Sequence, residues 1–251
     1  MNFIIRPTRY LGKQIFYYPS CNSTNQRAQQ LLREDNVTHG ALVLTDYQTA
    51  GQGQQGSHWE ANPAQNLTFS LILLPALTVG QQHWLTIVAS LSVHDAIAPE
   101  LSPPPTIKWP NDILCESSKI CGILIQNNLQ GRKIQSSVVG IGLNVNQTEF
   151  AVPGATSLAL LTGQRFNREE VLTRWAVCVE RRLDQLSQQD FSALHHDYLE
   201  RMHWQGERHR FEDARGTFYG TIVGTDARGW LAVETEAETR HYDAKQLKYV
   251  R

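Results

Sequence analysis

Long apolar runs are missing from this 251-residue sequence. The opening segment, MNFIIRPTRY, is interrupted at Arg6 before it could serve as a signal peptide or a membrane span. An excess of one charge is missing too. The 23 Lys and Arg against 24 Asp and Glu leave a formal net charge of −1, which gives no basic footprint for nucleic acid. Cysteine is scarce, and Cys21, Cys115, Cys121 and Cys178 show neither C-x-x-C spacing nor a paired His cluster. That excludes a disulfide framework and a zinc knuckle, and predicts reduced, mostly buried thiols in a cytoplasmic protein. No Ser-His-Asp or Cys-His constellation stands out, so the chemistry does not call for a covalent nucleophile on the protein.

What is present suits one larger domain plus a small one. Ser23 or Thr24 is placed to cap a helix from Asn25, with Ala28, Leu31 and Leu32 on its apolar face. ALVLTDYQ (41–48) and NLTFSLILL (66–74) read as strands on either side of a glycine-rich loop. Trp84, Leu85, Val88, Leu91 and Ile97 fall near helical spacing, and three prolines (103–105) then open a strand, TIKW. SKICGILIQNN and RKIQSSVVGIGLNVN form an expected hairpin about Gly131, and a helix is predicted over 168–186. HHDYLERMHWQ reads as a connecting helix. From Glu207 on, short alternating segments surround two identical turn signals, Asp213-Ala-Arg-Gly216 and Asp226-Ala-Arg-Gly229, as in a small barrel. The whole is an α+β chain, a mixed sheet with helices rather than a regular βαβ alternation.

The loop, TAGQGQQGSHWE, contains G-x-G-x-x-G at Gly51, Gly53 and Gly56. A dinucleotide site needs a helix to begin inside that motif, because the pyrophosphate sits on the helix N-terminus. Here the loop runs on through His58-Trp59-Glu60-Ala61-Asn62-Pro63, and no acidic residue stands where the ribose partner belongs. The nicotinamide reading fails on context.

Further motifs follow in order: Lys108-Trp-Pro-Asn111-Asp112, Lys119-Ile-Cys-Gly122-Ile-Leu and Gly140-Ile-Gly142-Leu-Asn144. Together with Ser23-Thr24-Asn25, Gln48 and the glycine loop, they resemble the biotin–protein ligase family from about Cys21 to the C-terminus. The resemblance implies a catalytic domain of the class II aminoacyl-tRNA-synthetase and biotin-ligase kind (1–205), then a small SH3-like β-barrel (206–251). It implies a ligase that activates biotin with Mg·ATP to biotinyl-5'-AMP, then transfers biotin to a lysine of a biotin carboxyl carrier domain. The sequence lacks the winged-helix domain of the family's ligase-repressor members, so neither DNA nor a membrane is an expected partner; a homodimer is allowed.

The same resemblance distributes the roles. Lys119 lies near the biotin carboxylate and the α-phosphate, with Lys108 as a second cation. Asn111 and Asp112 place phosphate or metal and steer the incoming lysine, and the metal ligands are left open. Ser23, Thr24, Asn25, Gln48, Gly51 and Gly53 belong to the biotin pocket; Gln52, Gly53, Gln54, Gly56, Trp59 and Asn144 belong to the adenylate. His58, His195 and His196 read as solvated or structural. The family loop typically reads G-R-G-R-R-G, so Gln52, Gln54 and Gln55 replace three arginines. A charge-assisted bond contributes about 1.5–3 kcal/mol against about 1 for a neutral one, which predicts looser retention of the adenylate. Two other readings fit the same residues: a lipoate or octanoate ligase or transferase of this fold, and a non-catalytic biotin sensor.

Overall fold

The computed structural model describes residues 5, 8–34, 37–53, 56, 58–244 and 246–250. A seven-stranded sheet forms its centre, from β1 (Ile15–Cys21), β2 (Ala41–Gln48), β3 (Leu67–Leu73), β4 (Thr106–Lys108), β5 (Asp112–Cys115), β6 (Ser118–Gln130) and β7 (Lys133–Leu143). The order is β1-β2-β3-β7-β6-β5-β4, with β1 parallel to β2 and every other pair antiparallel. The expected hairpin is β6–β7. Gln130 pairs with Lys133, and Gly131 takes φ 60° in the two-residue turn, a conformation glycine adopts without steric cost.

Alternation along the strands assigns the two faces. Leu42, Leu44, Phe69, Leu71, Val139 and Ile141 join the main core with residues of α2 (His83–Ile97) and α4 (Arg168–Ser187). Val43, Ile72 and Val138 form a smaller cluster with Ala28 of α1 (Thr24–Arg33). That second face is only half covered. Ile72 pairs with Val138 beneath the helix, but the next rungs are Ser70 with Gly140 and Thr68 with Gly142. The sheet therefore loses its apolar side chains where α1 begins. A site is left there.

Two shorter helices follow, α3 (Leu158–Thr162) and α5 (Phe191–Glu200), the latter ending before the expected connecting stretch does because residues 201–206 turn. The tail is a five-stranded antiparallel sheet: β8 (Arg208–Asp213), β9 (Gly216–Thr225), β10 (Leu231–Glu234), β11 (Thr239–Tyr242) and β12 (Lys248–Val250), in the order β11-β10-β9-β8-β12. Among the described residues β11 and β12 stand at the two ends of this order, and the antiparallel sheet is consistent with the expected SH3-like module, with no pairing that closes it. Both doubled turns work as read. Asp213 Oδ1 accepts from Arg215 N at 2.7 Å, Asp226 Oδ1 from Arg228 N at 2.9 Å, and Gly216 and Gly229 take positive φ. Phe211, Ile222 and Leu231 of this sheet belong to the same buried cluster as α2 and α4. The cysteines are all free, with three buried, and burial pushes the Cys115 thiol up to about 12.

Candidate active site

The uncovered patch of sheet is the floor of a cavity of about 390 Å³. Gly122, Gly140 and Gly142 form that floor on adjacent strands. A Cβ at Gly140 would stand 2.3 Å from Asn25 Oδ1, and one at Gly142 would stand 2.2 Å from Trp59 Cε2. The glycines are there for close approach: only bare backbone admits those two side chains to the floor.

One end of the cavity is polar, neutral and held together. Thr24 N and Oγ1 both donate to Gln48 Oε1, at 2.7 and 3.2 Å. The Ser70 hydroxyl lies 2.6 Å from Asn25 Oδ1 and 2.8 Å from Thr24 Oγ1. Asn25 Nδ2 donates to Leu124 O and to Gln126 Oε1, each at 3.2 Å. Ser23 is the helix N-cap, yet its side chain makes no capping bond. Thr24, Asn25 and Ser70 are buried, so these donors and acceptors are fixed before any ligand arrives.

The other end is charged. Lys119 Nζ lies 2.6 Å from Asp112 Oδ1 and 6.0 Å from the Trp59 ring, with the Lys119 and Asp112 side chains 39% and 28% exposed. Backbone bonds on both sides fix Lys119: its N–H donates to Gly154 O at 2.7 Å, and its carbonyl accepts from Thr156 N at 3.0 Å. Lys108 Nζ stands 4.9 Å from the Tyr249 ring. The strand carrying Lys108 and the turn after it are anchored from outside. Asn111 Nδ2 donates to Ile123 O, Trp109 Nε1 donates to Gly229 O of the tail at 3.0 Å, and the buried Tyr198 hydroxyl donates to Pro110 O at 2.9 Å.

Most of the residues singled out in the sequence therefore meet in one place. Ser23, Thr24, Asn25, Gln48, Gln52, Gly53, Trp59, Lys108, Asn111, Asp112 and Lys119 all line the cavity. Gly51 stands behind the wall, where a Cβ would meet Trp59 O at 2.3 Å. Gly56 has φ 82° and open space around it. Gln54 and Gln55 lie outside the described residues. Asn144 is not among the lining residues: it is 3% exposed, its Nδ2 donates to Thr156 O at 2.9 Å beside Lys119, and its Oδ1 has no hydrogen-bond partner among the described residues.

Of the histidines set aside, His195 bonds to Thr225 Oγ1 at 2.9 Å and His196 pairs with Glu200, but His58 lines the cavity. Sequence reading also missed Thr68, Ser70 and the tail's Leu247, Lys248 and Tyr249. Strand alternation from Ile72 would have found the first two; nothing local marks the others. Among the described residues, no group of three or more His, Cys, Asp and Glu is placed to hold a metal ion. No helix among them is long and apolar enough to cross a membrane.

Comparison with known proteins gives the family and the fold. Residues 17–144 match the biotin/lipoate A/B protein ligase family. The chain is 31% identical over 240 residues to the bifunctional ligase/repressor BirA of Bacillus spizizenii, covering 91% of this chain and 72% of that one. It is 33% identical over 227 residues to the biotin–[acetyl-CoA-carboxylase] ligase of Paracoccus denitrificans, covering 86% and 92%. The biotin protein ligase of Aquifex aeolicus, solved in complex with biotin and ATP, superposes with a TM-score of 0.78 at 28% identity, covering 95% of this chain and all of that one. By sequence, fold and the residues gathered in its cavity, the chain belongs to the biotin/lipoate A/B protein ligase family.

Proposed function

We propose that the chain is an ATP-dependent biotin–protein ligase. It activates biotin as biotinyl-5'-AMP and transfers the acyl group to a lysine of a carboxylase's biotin carboxyl carrier domain. The observation that carries this reading is the polarity of one cavity: a neutral, prearranged hydrogen-bonding end and a two-lysine end share a bare glycine floor. A ureido ring presents both N–H donors and a carbonyl acceptor, which suits Thr24, Asn25, Gln48 and Ser70. The apolar dithiolane of lipoate or the alkyl chain of octanoate could exchange no hydrogen bond with these groups.

The first step joins two anions. A carboxylate oxygen attacks the α-phosphorus, the bond to the β-bridging oxygen breaks, and pyrophosphate leaves. Charge repulsion and alignment dominate such a barrier. Lys119 leaves Asp112 to bridge the carboxylate and the α-phosphate, while Lys108 faces the phosphates. Mg²⁺ would enter as part of the ATP substrate and would add positive charge at the phosphates beside Lys108 and Lys119. In the second step the carrier lysine, as free amine, attacks the acyl carbon; the bond from that carbon to the AMP oxygen breaks, AMP leaves with that electron pair, and the amine proton passes to water. Asp112, released from Lys119, supplies the negative charge that draws in the carrier lysine as its ammonium, before that lysine gives up a proton to become the nucleophile. The chain's four unpaired cysteines suit a reducing cytoplasm.

Pyrophosphate release tests the reading. With Mg·ATP, biotin should elicit release while lipoate and octanoate give background. Release with octanoate or lipoate alone would reassign the substrate, and tight biotin binding without release would make the protein a sensor.

A further inference from the structure

The sheet alone does not build the charged end of the cavity. Tyr249, on the short last strand β12, reaches the cavity wall from the tail. Its ring lies 4.9 Å from Lys108 Nζ. Behind it, the ring packs edge-on against Phe211 at 5.4 Å and tilted against Trp204 at 5.2 Å. Trp204 is itself fixed, stacked on His209 at 3.8 Å with its backbone left-handed at φ 64°. A bulky residue holds that conformation only where its surroundings impose it. The Tyr249 hydroxyl is buried and has no hydrogen-bond partner among the described residues. What Tyr249 offers its neighbours is its ring.

We infer that Tyr249 is a positioning residue for the nucleotide: its ring face holds the Lys108 ammonium where the phosphates of ATP lie. The inference rests on the ligase reading. The negative face of an aromatic ring attracts an ammonium within about 6 Å without occupying its N–H donors. A lysine confined in this way loses little further side-chain freedom when it bonds phosphate. Trp204 and Phe211 act one step further back, by fixing the ring. The tail sheet thus adds an aromatic face to the nucleotide end of the cavity, beside Leu247 and Lys248.

The test varies ATP at saturating biotin and follows pyrophosphate release from the full chain. Tyr249→Leu should raise the KM for ATP about fivefold while leaving the KM for biotin unchanged. Tyr249→Phe keeps the face and should retain the wild-type KM for ATP, a rescue that a hydroxyl role would not give. In a Lys108→Met background, Tyr249→Leu should add nothing. Should Tyr249→Leu fail to fold by circular dichroism, Tyr249→Met takes its place in both arms. A Phe variant as weak as the Leu variant overturns the inference. So does an undiminished fivefold effect on top of Lys108→Met, or an equal rise in the KM for biotin. If the unaltered protein releases no pyrophosphate, the ligase reading fails instead, and calorimetric binding of Mg·ATP to the same variants tests the role of Tyr249 by itself.

Discussion

The two ends of the cavity are built in opposite ways. At the neutral end, the buried Thr24, Asn25 and Ser70 and the half-buried Gln48, from α1, β3 and β2, are tied into one hydrogen-bonded cluster. At the charged end, Lys119 and Asp112 are partly exposed and paired with each other at 2.6 Å, and Lys108 faces a ring from the far end of the chain. The first end is finished before a ligand arrives. The second is finished by the ligand, because the ammonium must exchange one anion for another. Prearranged amides and hydroxyls confer selectivity for a neutral polar ring; exchangeable charges meet anions that appear, react and depart.

The largest effect expected from this contrast is at Lys119. Lys119→Ala should slow adenylation by about 10²–10³, the scale for one preorganised charge-stabilising donor, and leave biotin binding at the neutral end nearly intact. Calorimetry with biotin beside pyrophosphate release checks the split, and equal loss of both would erase the distinction.

Acid should act differently, because it attacks the scaffold shared by both ends. Burial alone would raise the Asp95 carboxyl. Its bonds from His94 and Arg182, with the charge of Arg181, overcome that and hold it at about 2. A carboxylate depressed on folding stabilises the protein fully above its unfolded pKa of about 4 and loses that stabilisation as pH falls through the folded value. About 2 kcal/mol should disappear between about pH 5 and pH 2. Urea unfolding across that range measures it, and Asp95→Asn should flatten this part of the profile.

A smaller, local effect is expected at the floor. Gly140→Ala would press a methyl to 2.3 Å from Asn25 Oδ1, and Asn25 is pinned by its bonds to Leu124 O and Gln126. Overpacking of this kind costs about 1–3 kcal/mol. The KM for biotin should rise about tenfold or more while that for ATP holds.

The smallest concerns Gln52, which lines the cavity where the family loop typically carries arginine. Gln52→Arg should slow release of preformed biotinyl-adenylate about tenfold, through the off-rate. Unchanged release would mean that the loop acts through its backbone alone.

How much of this was legible in the sequence follows the same division. The long periodic segments, α2, α4 and the β6–β7 hairpin, announce themselves because burial of one face imposes a repeat on many residues. The short or irregular strands do not. β1 contains Pro19 and pairs along one edge only, β5 has four residues, and β12 has three. Each exists because a neighbour offers it a partner. The motif residues Lys108, Asp112 and Lys119 could be read as a site from the sequence, but their pairing could not. Lys119 meets Asp112 because β5 and β6 are hydrogen-bonded neighbours, with a register shift after Ile113. A G-x-N motif likewise does not reveal which way the Asn144 amide turns. Tyr249 was invisible, since its place in the cavity depends on the tail sheet folding back across more than a hundred residues of chain.

The measurement that bears most directly on the central claim is the intact mass of a biotin carboxyl carrier domain incubated with this protein, biotin and Mg·ATP. The account predicts one biotinyl group on one lysine of the carrier, formed only when both biotin and ATP are present and largely lost in Lys119→Ala. An unmodified carrier, in a reaction where the protein is folded and binds biotin, would contradict it.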